Sequence, residues 1–225
     1  MEYLHWDEQT ITDFSDQAVA DMYARGYVFT RIGKGVMHQT RSARIDLSKF
    51  ELSSENRRII KKVSDIALTV KKTPLAEYDW KLGKLAKDFY ETKFGPGIMS
   101  AQKIKEMLTD ASASNFNATL VYEKDAIPLG YVIAYQTAAI LHYSYPFYDL
   151  ATAPKDMGLG MMNLALHYAK EAGLRYVYLG SLQRATDTYK LQFSSLEWFD
   201  GGPSGTGAWR SDHEGIKKDL REKAF

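Results

Sequence analysis

The chain has 225 residues, 45% of them hydrophobic and 25% charged, so it carries enough apolar surface for an ordinary globular core and is not expected to be disordered. It contains no cysteine, which excludes disulfides, iron–sulfur clusters, cysteine-bound zinc and a thiol nucleophile. The formal net charge is +1, whereas a protein that coats nucleic acid by charge alone is more basic, so any nucleic-acid contact must be local.

Residues 1–52 are predicted to form a small N-terminal α+β unit. Ser15 is a typical N-cap residue for a helix over residues 16–24, and a glycine follows that helix as a typical stop. A strand over residues 26–32, a turn and a return strand over residues 36–40 come next.

The remaining residues, 53–225, are predicted to form a larger domain whose first helix is rich in positive charge. This helix carries Arg57, Arg58, Lys61 and Lys62 within about two turns. Such a cluster is typical of a solvated helix face, and the alternative is a patch that contacts phosphate.

The middle of the larger domain alternates between predicted strands and predicted helices. The strands cover residues 65–72, 117–124, 129–137 and 138–149, and the helices cover residues 75–93 and 101–108. The last of these strands is rich in tyrosine, which favours a core or sheet face, with a tyrosine-lined cleft as the alternative.

A glycine-containing loop, residues 153–160, is predicted to open a long helix over residues 161–172. Glycines two positions apart at a helix start let the backbone approach a ligand closely, and the exposed N–H groups suit a phosphate or a developing oxyanion. A helix that merely begins with two glycines is the alternative interpretation. A strand over residues 174–179 and a short helix over residues 186–191 complete the order.

This glycine loop resembles the acyl-CoA loop of the GNAT acyltransferase superfamily, which reads Arg/Gln-x-x-Gly-x-Gly/Ala. Lys155 stands at the Arg/Gln position, and Gly158 and Gly160 stand at the glycines. Tyr189 falls where many members of that superfamily place a tyrosine general acid. The resemblance implies direct attack of an amine on an acyl carbonyl, with proton transfer to side chains or water.

A more specific resemblance, to aminoacyl-tRNA–protein transferases, covers most of the chain. That family includes arginyl-transferases and the bacterial leucyl-transferases that modify N-terminal Asp or Glu. The matching segments occur in the same order and are residues 23–27, 44–58, 147–149, 158–160, 176–180 and 189–193. The resemblance implies an α/β, GNAT-like fold with a mixed, mostly antiparallel sheet flanked by helices, and aminoacyl-tRNA, not acyl-CoA, as the donor.

The chain departs from this family at three places, one of which is Gly158, where the family has a serine. The family carries cysteine motifs before the segment that begins at Arg44, and this chain has none, so no cluster or metal is expected there. The family's Ser-Pro-Lys-Met segment before the Tyr-Lys pair is also missing. No resident cofactor is therefore expected, and the expected partners are aminoacyl-tRNA and an acceptor peptide or protein N-terminus.

The resemblance and the residue chemistry together select a set of candidate site residues. The candidate catalytic residues are Tyr189, Asp149 and Tyr148, and the candidate substrate-binding residues are Arg41, Arg44, Arg57, Arg58, Gly158, Leu159, Gly160 and Lys190.

The tyrosines would position the acyl ester or protonate the leaving 3′-oxygen of the tRNA. Asp149 would hold the acceptor ammonium or take its proton, and a loop cap is its alternative role. Arginine binds carboxylate and phosphate bidentately, which suits the acceptor or the tRNA, and surface ion pairing is the alternative. Lys190 would contact phosphate, and a solvated lysine is the alternative.

Two other functions stay open on the sequence alone. Lys155, Gly158, Gly160 and the near-neutral charge also favour an acetyl-CoA-dependent N-acetyltransferase, whereas the missing motifs favour a non-catalytic module that binds peptide N-termini. No apolar run is long enough to span a membrane, and the acidic start lacks the apolar centre of a secretion signal. A cytoplasmic protein without a membrane partner is therefore expected.

Overall fold

The computed structural model of the chain describes residues 3–202 and 205–222, and it contains strands, α-helices and one 3₁₀-helix. The strands are β1 (Asp7–Thr10), β2 (Tyr27–Phe29), β3 (Val36–Gln39), β4 (Ser42–Asp46), β5 (Ala67–Lys72), β6 (Ala118–Lys124), β7 (Ile127–Gln136), β8 (Ile140–Tyr148), β9 (Tyr176–Ser181), β10 (Leu196–Asp200) and β11 (Ala208–Arg210). The helices are α1 (Asp16–Ala24), α2 (Ser54–Lys62), α3 (Trp80–Phe94), α4 (Ala101–Thr109), α5 (Met157–Glu171) and α6 (His213–Glu222), and the 3₁₀-helix is Ala185–Gln192. In the described part of the chain, no helix combines the length and the apolar character that crossing a membrane requires.

Two compact units divide the chain. The first contains the described parts of residues 1–53, 137–142 and 173–225, and the second contains residues 54–136 and 143–172. The predicted N-terminal unit, residues 1–52, does not stand alone in this division, because β4 is hydrogen-bonded antiparallel to both β9 and β10. Strand pairing over a long sequence separation therefore joins the N-terminal residues to the C-terminal ones.

The first unit contains two groups of paired strands. Strands β1, β3 and β2 form an antiparallel sheet in that order. Strands β11, β10, β4 and β9 lie side by side and are followed by the first residues of β8. The β8–β9 pair is parallel, with Ile140 opposite Tyr176 and His142 opposite Tyr178, whereas β4 pairs antiparallel with its neighbours.

Buried aromatic side chains form part of the core of the first unit. Tyr23, at 0% exposure, lies with its ring centroid 4.8 Å from that of Tyr178 and 5.9 Å from that of Phe29. Its hydroxyl oxygen is 2.8 Å from Nδ1 of the buried His142. The buried polar atoms of this pair therefore satisfy each other, as a dry interior requires.

The second unit is built on the antiparallel strands β5, β6 and β7, with the later residues of β8 next to β7. Asp125 and Ala126 join β6 to β7 and have φ values of 52° and 63°, the pattern of a tight hairpin turn. Helix α2 packs on α5, and α3 packs on α4. Asp79 caps α3 by accepting the Lys81 N–H, and Ser100 caps α4 by accepting the Lys103 N–H.

The predicted fold class, a mixed and mostly antiparallel sheet flanked by helices, is confirmed. Two helix starts differ from the prediction. Helix α5 begins at Met157, so its glycines lie in the first helical turn and not in a preceding loop. Helix α3 begins at Trp80, because the chain becomes helical only after its cap at Asp79. In α5, packing overrides the low helix propensity of glycine.

Candidate functional site at the start of helix α5

Helix α5 begins with backbone N–H groups that the helix itself does not use. Its regular bonding starts with the Gly160 N–H, which donates to the Asp156 carbonyl at 2.9 Å. Gly158 and Leu159 precede that bond, at positions where a helix leaves N–H groups without an intrahelical acceptor. The N-cap residue Asp156 is left-handed, with φ 69°, and its carboxylate does not cap the helix. The positive end of α5 therefore remains available to an oxyanion or a phosphate.

Tyr148, at the end of β8, lies beside this first turn. A Cβ placed on Gly158 would be 3.6 Å from both the Cε1 atom and the hydroxyl oxygen of Tyr148. The ring packs against Phe89 of α3 with centroids 4.8 Å apart, and Gly130 leaves room for its Cβ. Burial raises the pKa of Tyr148, so its hydroxyl stays protonated at neutral pH and serves as a hydrogen donor.

Two cations from α2 reach the residue that precedes α5. Lys62 Nζ is 2.5 Å from Asp156 Oδ2, and an Arg58 nitrogen is 3.7 Å from the same oxygen. Arg58 also pairs with Glu55 at 2.5 Å. The hydrogen bond from Lys62 is the main reason that the pKa of Asp156 is lowered. Because these side chains are partly exposed, their pairs are weak and exchangeable, and an incoming phosphate would compete with Asp156 for both cations.

Gly160 has a structural reason to be glycine. It is buried, and a Cβ there would lie 2.5 Å from Cγ1 of Val63, the residue that follows α2. The absent side chain thus permits close packing of α2 on α5. Leu159 is half-buried, and its carbonyl accepts a hydrogen bond from Asn163 at 2.9 Å. Substrate binding by Gly160 and Leu159 stays a prediction, while Gly158 is the glycine that faces Tyr148.

Asp149 organises the turn between β8 and α5. Its carboxylate accepts hydrogen bonds from the Ala151 N–H and the Thr152 hydroxyl, each at 2.8 Å, and its carbonyl accepts the Ala153 N–H. The bond from Ala151 is the main cause of the lowered pKa of Asp149. A carboxylate with a lowered pKa is a weaker base, so this geometry agrees with the loop-cap alternative.

The side chain of Arg44 is surrounded by other residues of the first unit. Its guanidinium bonds to Glu197 at 2.8 Å and lies 4.1 Å from the centroid of the Tyr176 ring and 3.9 Å from that of the Trp209 ring. The residue is buried. The predicted contact with an acceptor carboxylate or tRNA phosphate would have to displace these partners.

The other predicted residues of the first unit differ in their exposure. Lys190 is buried, burial lowers its pKa, and its Nζ donates to the Ser181 carbonyl at 2.8 Å, so it is not the solvated lysine of the alternative interpretation. Arg41 is buried as well, whereas Tyr189 is 44% exposed on the 3₁₀-helix.

The second unit thus brings together Tyr148, Gly158 and Arg58 near the start of α5. Asp149 binds within the turn between β8 and α5, and Arg57 is an exposed residue of α2. The predicted residues Arg41, Arg44, Tyr189 and Lys190 belong to the first unit. Sequence reasoning missed Asp156 and Phe89 as members of this region. The signal for Asp156 was its position directly before a glycine-rich helix start, and the partner of Phe89 is decided only by packing.

No protein-family model matches the chain, and no curated protein sequence matches it. Solved structures resemble it at low identity. The C-terminal domain (DUF2156) of a putative lysylphosphatidylglycerol synthetase from Agrobacterium fabrum matches with a TM-score of 0.45 and 14% identity, over 79% of this chain and 55% of that chain. L-PGS from Bacillus licheniformis matches with a TM-score of 0.48 and 13% identity, over 93% of this chain and 71% of that chain.

A third similar structure is the GCN5-related glucosamine N-acetyltransferase region of a fungal multi-domain GH3 β-N-acetylglucosaminidase. It matches with a TM-score of 0.47 and 9% identity, over 84% of this chain and 23% of that chain. The present chain spans about half the length of the Agrobacterium structure. All three TM-scores are below 0.5, so these likenesses do not assign a function to the chain.

Proposed function

We propose that the chain is an acyltransferase of GNAT-like fold that moves an amino acid from aminoacyl-tRNA to an amine, and that the acceptor is a peptide or protein N-terminus of the Asp/Glu type. The observation that carries the proposal is the Tyr148 hydroxyl, which lies beside Gly158 at the open N–H groups of α5. Arg58 and Lys62 add positive charge at the same helix end.

These groups match the needs of acyl transfer to an amine. The amine attacks the ester carbonyl, a C–N bond forms, and the bond to the 3′-oxygen of the tRNA breaks. The N–H groups of Gly158 and Leu159 stabilise the oxyanion of the intermediate. Tyr148 gives its proton to the leaving oxygen, the ammonium proton passes to water, and water reprotonates Tyr148. An aminoacyl ester is already activated, so orientation and proton handling supply the catalysis.

The choice of donor rests on the ordered resemblance to aminoacyl-tRNA–protein transferases in the sequence. The cations of α2 suit the phosphates of the tRNA acceptor arm, which is a small target that a few contacts satisfy. An acetyl-CoA-dependent N-acetyltransferase is the second candidate. The open N–H groups of Gly158 and Leu159 in the first turn of α5 favour it, because they suit a pyrophosphate equally well.

The decisive experiment incubates the protein with a panel of radiolabelled aminoacyl-tRNAs and peptides that differ in their N-terminal residue. We expect label to enter the peptides that begin with Asp or Glu. The same peptides with radiolabelled acetyl-CoA test the second candidate. Peptide binding without transfer from either donor would contradict both enzymatic functions and leave a non-catalytic module.

A matched pair of lysine variants tests the site itself. Lys62→Gln removes the cation that lies nearer to Asp156, and Lys61→Gln removes its exposed neighbour on the same helix. We expect kcat/KM for the donor to fall about tenfold in Lys62→Gln, as for the loss of one charge-assisted hydrogen bond. The Lys61→Gln value should stay close to that of the wild type. Equal kcat/KM values in both variants would show that Lys62 does not contribute to the site.

A further inference from the structure

An open groove of about 680 Å³ lies between α3 and α4 of the second unit, away from the residues used above. Its lining includes two aromatic side chains, three lysines and one carboxylate, namely Tyr78, Trp80, Lys84, Lys87, Lys105 and Asp88. The volume is in the range of ligand-binding clefts, about 300–1,000 Å³. The excess of cations over carboxylates gives the groove a positive character, although the net charge of the whole chain is only +1.

The aromatic part of the groove is held in place and exposed at the same time. Trp80 is the first residue of α3, its side chain is 67% exposed, and the preceding cap residue Asp79 fixes the backbone there. The Tyr78 hydroxyl lies against the backbone of Gly83, where any side chain would collide with it. A large indole left exposed on a fixed backbone provides a stacking surface for a planar ligand, and Tyr78 lines the same groove.

The cations are arranged along the same groove. Lys84 and Lys87 follow Trp80 at helical spacings of four and seven residues, so they lie on one face of α3, and Lys105 comes from α4. Lys84 pairs with Asp88, and Lys87 Nζ is 3.4 Å from Glu91 Oε1. These pairs are largely exposed and therefore weak, so phosphates can take over the lysines at little cost.

We propose that the α3–α4 groove binds a single-stranded nucleic-acid segment, with a base stacked on Trp80 and the backbone phosphates on Lys84, Lys87 and Lys105. Aromatic stacking combined with cations along a groove is the way in which proteins hold single strands without reading their sequence. An anionic membrane is a weaker fit, because it would require an apolar face, and Trp80 is the one strongly exposed large apolar side chain among the described lining residues.

The groove is connected to the proposed acyl-transfer site through α3. The face of α3 opposite the groove presents Phe89, whose ring centroid is 4.8 Å from that of Tyr148. Trp80 and Phe89 are about 14 Å apart along the helix axis, from the rise of an α-helix. The identity of the bound strand as part of the donor tRNA rests on the proposed function, whereas strand binding itself does not.

Binding is tested with a short fluorescent oligo-adenylate RNA, by fluorescence anisotropy at several salt concentrations. The test variant is Lys84→Glu with Lys105→Glu, and the matched control is Lys81→Glu with Lys93→Glu, which reverses two exposed lysines of α3 that do not line the groove. We expect the test variant to bind at least tenfold more weakly. Its slope of log affinity against log salt should be smaller by about 1.4, which corresponds to two lost phosphate contacts on a single strand.

A second variant keeps the proposal testable if the double reversal does not fold. Trp80→Leu changes one exposed side chain, and we expect it to weaken RNA binding roughly tenfold through the loss of stacking. Wild-type RNA affinity in Trp80→Leu or in the folded test variant would overturn the proposal that the groove binds RNA. Weakened binding to vesicles that contain phosphatidylglycerol, with RNA binding unchanged, would overturn it in favour of a membrane.

The same measurements separate this proposal from the proposed function. The RNA probe carries no amino acid, so its binding does not depend on transfer. Strand binding in the absence of transfer from every aminoacyl-tRNA would leave the groove in place and contradict the transferase. Transfer that is intact in the test variant, with unchanged RNA affinity, would contradict the groove and leave the transferase in place.

Discussion

Two tyrosines that the sequence placed in one catalytic set have very different surroundings. Tyr148 is half-buried beside Gly158, whereas Tyr189 is 44% exposed in the first unit. We expect Tyr148→Phe to lower kcat about 100-fold with little change in KM, because general acid catalysis contributes on that scale and the phenyl ring still packs on Phe89. Single-turnover transfer with the identified donor measures this.

The control for Tyr148→Phe is Tyr131→Phe, because Tyr131 is also a half-buried tyrosine of the second unit and stacks on Phe147. Its turnover should match that of the wild type. Undiminished turnover in Tyr148→Phe would remove this hydroxyl from the mechanism. The parallel variant Tyr189→Phe tests the general-acid role that the resemblance implied, and unchanged turnover there would exclude Tyr189 from the site.

Among the elements, the contact of α2 with α5 depends on the absence of a side chain at Gly160. Gly160→Ala places a methyl group against the fully buried Val63, and we expect a loss of about 1–3 kcal/mol in the free energy of unfolding. Val63→Ala removes the colliding methyl groups, so the double variant should be more stable than the sum of the single effects predicts. Urea unfolding of all four proteins measures this coupling, and strict additivity would contradict the packing explanation.

The hairpin between β6 and β7 contains a strained residue. Ala126 has φ 63°, a left-handed conformation that costs an L-residue about 1–2 kcal/mol and that glycine adopts freely. Ala126→Gly should therefore raise the free energy of unfolding by about 1 kcal/mol and Tm by about 2–4 °C. Ala76→Gly, at an exposed loop alanine, is the control and should lower Tm slightly. A lower Tm in Ala126→Gly would argue against a left-handed turn at this position.

For the molecule as a whole, acid stability should report on His142. Burial lowers its pKa from 6.5 to about 3, and the nearby Lys190 charge acts in the same direction. Below pH 6.5 the unfolded chain binds a proton that the folded protein does not, so stability falls as the pH decreases from 6.5 towards 3. One such group contributes a slope that approaches about 1.4 kcal/mol per pH unit.

Urea unfolding between pH 7 and pH 4 measures this slope. His142→Gln should flatten it, and His5→Gln, at an exposed histidine, is the control. An identical pH dependence in His142→Gln and the wild type would show that His142 is not the group responsible. Carboxylates with lowered pKa values, such as Asp149, also stabilise the fold less as the pH falls, but they do so at lower pH than His142.

The near-zero net charge of the whole molecule conceals local concentrations of charge. Two cations of α2 contact Asp156. Three lysines line the α3–α4 groove together with one carboxylate, that of Asp88. Composition alone excludes a uniformly basic protein, but it does not show where the positive charge is gathered. The spacing of Trp80, Lys84 and Lys87 contained that information, since it follows the helical period.

The sequence by itself determined the local elements of this protein. The cap at Ser15, the alternation in β5, and the glycines at the start of α5 each act within a few residues, so local sequence patterns indicate them directly. The order of strands and helices from β5 to β9 follows from such local signals. The tyrosine strand that ends beside a glycine helix start was visible in the same way.

The tertiary structure alone decided which surfaces meet. The pairing of β4 with β9 and β10 brings together residues that are far apart in the sequence, and it encloses Arg44 between Tyr176, Trp209 and Glu197. Close packing against Val63 leaves no room for a side chain at residue 160, which explains the glycine there. Burial and long-range pairing depend on the sum of many weak contacts between distant segments, so no pattern within a few residues encodes them.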